Sequence, residues 1–330
     1  MNQRAGKRRR TTAHPEVAVV GAGAFGGWTA LHLLELGARV TLLDAWGAGH
    51  LRGTSSDESR IIRCGYGGKD LYSRWAWRAR RLWQRHERAW RTQLFVPSGV
   101  LWLIAEEDDY TRSSIAGLER LKIPYQRLTL PELRRRFPQF STEGLRFAYC
   151  EPKAGFLRAR VATRAVAEAV AGAGGRVLLA EAATPDGAGA RLKRLALRGG
   201  DVLEAEHFVF ACGPWLRKLF PGLLGRRLRT PRRDVIFIGT PPGDDRFTWQ
   251  RMPSWGFGGP ADDPEFGLEQ RPAAVALLRS GHTLAQRQVQ PDQQAVDVLA
   301  QGVVAQQPLG VGQRPARIAV ALSGARQASQ

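Results

Sequence analysis

An α/β fold opening on a Rossmann-like nucleotide-binding unit is predicted by three features of this chain. The apolar run Val17-Ala18-Val19-Val20 is closed by a glycine-rich turn, Gly21-Ala22-Gly23-Ala24-Phe25-Gly26-Gly27. A stretch with apolar positions at helical spacing follows, and then a second apolar run that ends on an acid, Asp44. Strand, glycine loop, helix and acid-terminated strand make one βαβ unit.

Each element has its own signal. Trp28 to Leu36 predicts a helix, with Leu31 and Leu34 at helical spacing, and Gly37 breaks it. Arg39-Val40-Thr41-Leu42-Leu43-Asp44 predicts a buried strand. Asp70 to Trp90 predicts a second helix with Leu71, Trp75, Leu82, His86 and Trp90 close to one face and arginines over the remainder. Aromatic residues at that spacing are expected to pack on a sheet, with His86 a core histidine among them. Gly99 to Ile104 reads as a strand and Asp108 to Leu121 as a helix. Leu130-Pro131-Glu132 opens a short helix with proline at its start. Further on come a helix over Arg160 to Ala173 and strands over Arg176 to Ala180, Leu192 to Leu197, His207 to Ala211 and Val235 to Ile238.

The 330 residues suffice for about two domains at ~150 residues each. A net charge of +19 raises nucleic acid or an anionic membrane as partner, but only six basic residues are lysine, the arginines are scattered and no nucleic-acid motif accompanies them. A biased composition accounts for the charge, and neither nucleic acid nor membrane is expected as a partner. Nothing approaches the ~18 apolar residues of a membrane span. Cys64, Cys150 and Cys212 form no CxxC pair, so no disulfide framework and no metal site is expected, and a reducing, cytoplasmic setting is the simpler assumption. Residues 1–16, with Lys7-Arg8-Arg9-Arg10, read as a solvated, disordered basic tail. Past about Gly258 the texture changes: twelve glutamines follow residue 251 against six before it, with no lysine and no tyrosine, so 259–330 reads as an irregular tail.

Gly21-x-Gly23-x-x-Gly26 carries the chemistry of a dinucleotide site. Gly21 permits the tight turn, Gly23 lets backbone amides approach a pyrophosphate, Gly26 lets helix and sheet come close, and the helix N-terminus adds partial positive charge. Asp44 is placed to take ribose hydroxyls and would repel a 2′-phosphate, which disfavours NADP and leaves FAD and NAD both open.

The segment Gly53-Thr54-Ser55-Ser56-Asp57-Glu58-Ser59-Arg60-Ile61-Ile62-Arg63-Cys64-Gly65-Tyr66-Gly67 resembles the sarcosine oxidase branch of the D-amino-acid oxidase superfamily, in which a Gly-Ser-rich stretch precedes Arg-Ile-x-Arg and a Tyr-Gly pair. The resemblance continues through Glu151-Pro152-Lys153-Ala154-Gly155-Phe156-Leu157, the strand Phe208 to Trp215, and Pro231-Arg232-Arg233-Asp234-Val235, and fades near Trp255-Gly256-Phe257. It implies an α/β fold in which a Rossmann-like FAD-binding domain (17–95 and 150–230) carries an inserted mixed-sheet substrate domain (96–149 and 231–258), the C-terminal part being incomplete. It implies FAD as cofactor, with Gly21, Gly23, Gly26 and Asp44 on its ADP half, Ser55 near the pyrophosphate, Val177 on the adenine side, and Ala211, Gly213 and Trp215 along it. Arg60 would lie against the flavin ring and Arg63 in a substrate carboxylate site. Two permanently charged, forked donors three apart on a loop suit a carboxylate. The reaction implied is oxidation of the C–N bond of a small amino acid or N-methyl amino acid, with oxygen as acceptor and hydrogen peroxide formed. The alternatives are an FAD-dependent dehydrogenase using a carrier and a catalytically inactive nucleotide-binding fold.

The chain also departs from that pattern. The resemblance calls for a late lysine that assists oxygen reduction, in some members a flavin-linked cysteine, and a Gly-His-Gly-Phe-Lys loop. Here no lysine follows Lys218 and no cysteine follows Cys212, and Ser280-Gly281-His282 is too early and lacks the lysine. A shifted reading frame between Gly258 and Gly267 would account for a divergent tail and for impaired activity. Ser56 and Asp57 stand where some sarcosine oxidases carry His-Gly.

Overall fold

The computed structural model describes residues 14–185, 192–230 and 242–258, together with the strand backbone of 238–239 and 283–284. In chain order its strands and longer helices are β1 (Glu16–Val20), α1 (Ala24–Glu35), β2 (Arg39–Asp44), β3 (Arg60–Ile62), α2 (Asp70–Trp90), β4 (Phe95–Val96), β5 (Val100–Ile104), α3 (Asp109–Arg120), β6 (Gln126–Leu128), α4 (Leu130–Arg136), β7 (Phe147–Glu151), β8 (Gly155–Leu157), α5 (Ala159–Gly172) and β9 (Arg176–Leu179). They continue with β10 (Arg194–Ala196), β11 (Val202–Glu204), β12 (His207–Phe210), α6 (Leu216–Leu219), α7 (Pro221–Leu224), β13 (Ile238–Gly239), β14 (Ser254–Phe257) and β15 (Thr283–Leu284). Two compact units result. Among the described residues one comprises 14–62, 78–97, 155–185 and 192–230, the other 63–77, 98–154 and 242–258.

The first unit is built on a parallel sheet in the order β12-β1-β2-β9. Val19 of β1 lies opposite Val209 on one side and Leu42 on the other. Val17, Val19 and Leu42 pack under Ala30 and Leu31 of α1 and Ala167 and Val170 of α5. Ala18, Val20 and Leu43 face the opposite way, onto Leu195 and Leu203 of the β10-β11 hairpin. Both faces are covered, which is why β1 and β2 are continuous apolar runs rather than alternating ones. A smaller antiparallel sheet, β3-β8-β4, completes this unit.

The second unit is a mixed sheet in the order β14-β5-β7-β6, with β14 parallel to β5 and the other pairs antiparallel. Leu101, Leu103 and Ala148 pack on Leu133 of α4 and on Phe140, while Ile104, Phe147 and Tyr149 pack on Ile115 and Leu118 of α3. Asp108 caps α3 by accepting the Thr111 amide at 2.8 Å. Thr129 and Glu132 form a reciprocal capping box around Pro131 at the start of α4. β13 and β15 pair antiparallel.

Three expectations need correction or limits. The first helix starts at Ala24, not Trp28, because the glycine loop itself supplies its first turn. The aromatic face of α2 is not a core stripe: Trp75 is 60% exposed and Leu71 and Leu82 are exposed, whereas Trp83, His86 and Trp90 gather around Trp28 of α1 at ring separations of 5.1, 4.9 and 6.0 Å. Helical spacing marks residues that share a face, but the neighbour available to cover it decides how far along the helix that face is buried. Residues 1–13, 235–237 and nearly all of 259–330 lie outside the described residues, and with them the expected basic tail, most of the strand expected at 235–238 and the expected irregular tail. Among the described residues Cys150 and Cys212 carry free thiols, no helix is long and apolar enough to cross a membrane, and no group of three or more His, Cys, Asp or Glu side chains could hold a metal ion.

The two tryptophans separate cleanly by experiment. Trp28→Ala is expected to lower stability in urea unfolding by about 3 kcal/mol, while Trp75→Ser stays within about 0.5 kcal/mol of wild type. Equal losses would show that both rings are packed.

Candidate cofactor site and arginine loop

The glycine loop shows why each of its glycines is needed. Gly21 has φ of +105°, and a Cβ there would come within 2.6 Å of the Ala211 carbonyl oxygen. A Cβ on Gly26 would fall on the Gly21 carbonyl oxygen, and one on Gly23 would meet Ser55 Oγ at 3.2 Å. The Ser55 hydroxyl accepts the Ala24 amide at 2.9 Å at the mouth of α1. Asp44, closing β2, accepts the Ala22 amide at 2.8 Å and the Trp46 amide at 2.9 Å. The acid therefore fastens the loop from behind while facing the cavity the loop borders.

That cavity has a volume of about 880 Å³, toward the upper end of ligand sites, which run to ~1,000 Å³. Of the candidate cofactor residues, Gly21, Gly23, Asp44, Ser55, Ala211, Gly213 and Trp215 border it. Val177 does not: it pairs with Leu42 in β9 and is 43% exposed, away from the lining. Gly26 lies beneath the loop rather than on the wall.

Residues that sequence reasoning missed complete the lining. Trp46 sits 5.1 Å from the His50 ring and 5.0 Å from Trp215. Burial, aided by the Arg52 charge, lowers the His50 pKa from its ordinary value against the opposing pull of the nearby Asp44 carboxylate. Lys218 Nζ lies 5.0 Å over the Trp215 ring, whose Nε1 is buried without a hydrogen-bond partner among the described residues. No motif announces Trp46 or His50; nearness in sequence to Asp44 was the one available signal.

The arginines stand in different settings. Arg60 opens strand β3, opposite Leu157, rather than lying on a loop, because Ile61 and Ile62 carry the chain into pairing with β8. Its guanidinium donates to Asp57 Oδ2 at 2.8 Å and to the Thr54 carbonyl at 2.9 Å. Asp57 has φ of +99°, a conformation that favours glycine. Arg63, in the second unit, lies over the Tyr66 ring at 4.3 Å and the Trp102 ring at 5.0 Å. Its Nη1 donates to the Gly65 carbonyl and, at 3.1 Å, to Tyr110 Oη. Among the described residues Nη2 and Nε donate no hydrogen bond.

A parallel sheet, a glycine turn feeding a helix N-terminus and an acid at the end of the second strand define a dinucleotide-binding protein of the Rossmann type. The family described as FAD dependent oxidoreductase matches residues 16–328, and the chain belongs to that family, whose enzymes use FAD. The chain is 30% identical over 223 residues to peroxisomal sarcosine oxidase of Homo sapiens, covering 67% of this chain and 56% of that protein. It is 25% identical over 209 residues to N-methyl-L-tryptophan oxidase of Yersinia pestis (strain Pestoides F), covering 63% and 56%. The chain thus spans little more than half the length of these curated relatives. L-proline dehydrogenase from P. horikoshii shares the fold, with a TM-score of 0.59 at 19% identity over 74% of this chain and 64% of that one. The family match runs on through residues that the sequence reading set apart as foreign.

The site fits FAD on its own geometry: a turn with no room for side chains at the N-terminus of a twelve-residue helix, and an acid ending the next strand, suit a pyrophosphate and a free ribose.

Two substitutions test the loops. Gly26→Ala is expected to abolish flavin retention, read as the ratio of visible to protein absorbance, because nothing at Gly21 can yield. Asp57→Gly relieves the backbone while Asp57→Ala does not, so the glycine variant should be the more stable by about 1 kcal/mol in urea melts.

Proposed function

We propose that this chain is an FAD-dependent oxidoreductase that oxidises the C–N bond of a small amino acid or N-methyl amino acid, with oxygen as acceptor and hydrogen peroxide as product. The observation that carries the substrate class is Arg63: a guanidinium over two aromatic rings, anchored through one nitrogen, whose Nη2 and Nε donate no hydrogen bond among the described residues. A planar fork of that kind suits a carboxylate, which accepts two parallel N–H bonds. The named activities of the two relatives, on sarcosine and on N-methyl-L-tryptophan, support the same class.

In this reading the first unit holds FAD, through Gly21, Gly23, Gly26, Asp44, Ser55, Ala211, Gly213 and Trp215, and the second, which carries Arg63, holds substrate. FAD when bound supplies a two-electron acceptor for the carbon next to nitrogen, and the imine left behind is hydrolysed by water. Arg63 orients the substrate by its carboxylate. Arg60 supplies fixed positive charge near the flavin, tempered here by its ion pair with Asp57. Burial pushes the Cys150 and Cys212 thiols up to about 11, so neither is activated as a thiolate for a covalent bond to flavin.

A second reading, a dehydrogenase that passes electrons to a carrier, takes support from the lack of lysine in residues 219–330 on the condition that this tail is genuine. Visible spectra before and after acid precipitation, followed by peroxide and dye-reduction assays with sarcosine and N-methyl-L-tryptophan, decide between them. All flavin is expected in the supernatant, with peroxide formed at a low rate. Dye reduction without peroxide would establish the second reading, and bound flavin with neither would mean an inactive fold.

A further inference from the structure

Glu151 is a carboxylate with a role that nothing above uses. It closes β7, is 1% exposed, and forms no ion pair among the described residues. Three donors converge on it instead. The Cys64 amide donates to Oε2 at 2.6 Å, and the Gly65 amide and the Trp102 indole donate to Oε1 at 3.2 and 3.0 Å. Burial raises its pKa, with the indole, the two amides and nearby Arg63 working against that rise.

Those three donors are the immediate surroundings of Arg63. Cys64 and Gly65 are the two residues after it, Gly65 offers the carbonyl to which Nη1 donates, and Trp102 is one of the rings it lies over. The remainder of the loop is also seated: the Gly67 amide donates to Ser114 Oγ at 2.7 Å, and a Cβ on Gly65 would lie 3.1 Å from Tyr149 Oη and 3.4 Å from Glu151 Oε1. Glu151 thus fixes both the backbone that carries Arg63 and the ring beneath it, while leaving the guanidinium fork unconsumed. A glutamine could not substitute, because its single oxygen cannot replace both carboxylate oxygens and its NH₂ group would face an N–H donor.

We propose that Glu151 is the positioning residue of the arginine loop, holding the Arg63 guanidinium in the plane that receives the substrate carboxylate. This rests on the carboxylate role of Arg63 given above.

The test is equilibrium dialysis of labelled sarcosine against dithionite-reduced, oxygen-free holoprotein, in which substrate binds without turnover. Glu151→Gln is expected to weaken binding by about tenfold or more with flavin content unchanged. Glu151→Asp should recover part of the affinity, and Trp102→Phe, which keeps the ring and deletes one donor, should lose less than Glu151→Gln. Leu118→Ala, a core substitution in the same unit, serves as the stability control. Wild-type affinity in Glu151→Gln, or an equal loss in Leu118→Ala, would overturn the assignment. Should Glu151→Gln not fold, wild-type binding by both Glu151→Asp and Trp102→Phe overturns it equally. If Arg63→Gln binds as wild type does, or wild type binds no sarcosine, the carboxylate reading itself fails and this assignment falls with it.

Discussion

The approach of Gly26 to the Gly21 carbonyl is the constraint on which the first unit depends. With no side chain at either position, α1 can start within the turn that ends β1. The same absence at Gly27 lets α1 lie against Val166 of α5, where a Cβ would come within 2.9 Å of a methyl group. Helix, sheet and cavity wall are therefore consequences of one close packing rather than separate features.

Both units use the same electrostatic device. A carboxylate at the end of a strand accepts amides from a loop beside it: Asp44 holds Ala22 and Trp46, and Glu151 holds Cys64 and Gly65. Backbone amides in such positions have no strand or helix acceptor, and an unpaired buried amide is costly. An anion on a rigid strand meets that need and fixes the loop to the sheet at once. The loop is then ordered before any ligand arrives, so that binding does not have to order it.

The two arginines illustrate how context divides residues that look equivalent in a motif. Arg60 is drawn into an ion pair with Asp57 and into carbonyls of its own turn. Arg63 is held by rings and a phenol, which position a cation without neutralising it. An acid at residue 57, where some sarcosine oxidases carry glycine, both retains the left-handed backbone and draws off the charge of Arg60.

Much was legible in the chain alone because it rests on local rules. Gly21-x-Gly23-x-x-Gly26 with Asp44 borders the cavity, Asp108 and Leu130-Pro131-Glu132 marked helix starts, and the apolar runs at 17–20 and 39–44 became neighbouring strands. These signals involve residues within a few positions of one another, where steric and hydrogen-bonding rules act without help from the remainder of the fold. What only the tertiary structure decided concerns partners distant in sequence. That Trp28 gathers Trp83, His86 and Trp90 while Trp75 is exposed, that Val177 does not line the cavity, and that Glu151 reaches back 87 positions to Cys64 all depend on which surfaces the sheets bring together. Periodicity assigns a side chain to a face; only the packed fold determines what that face meets.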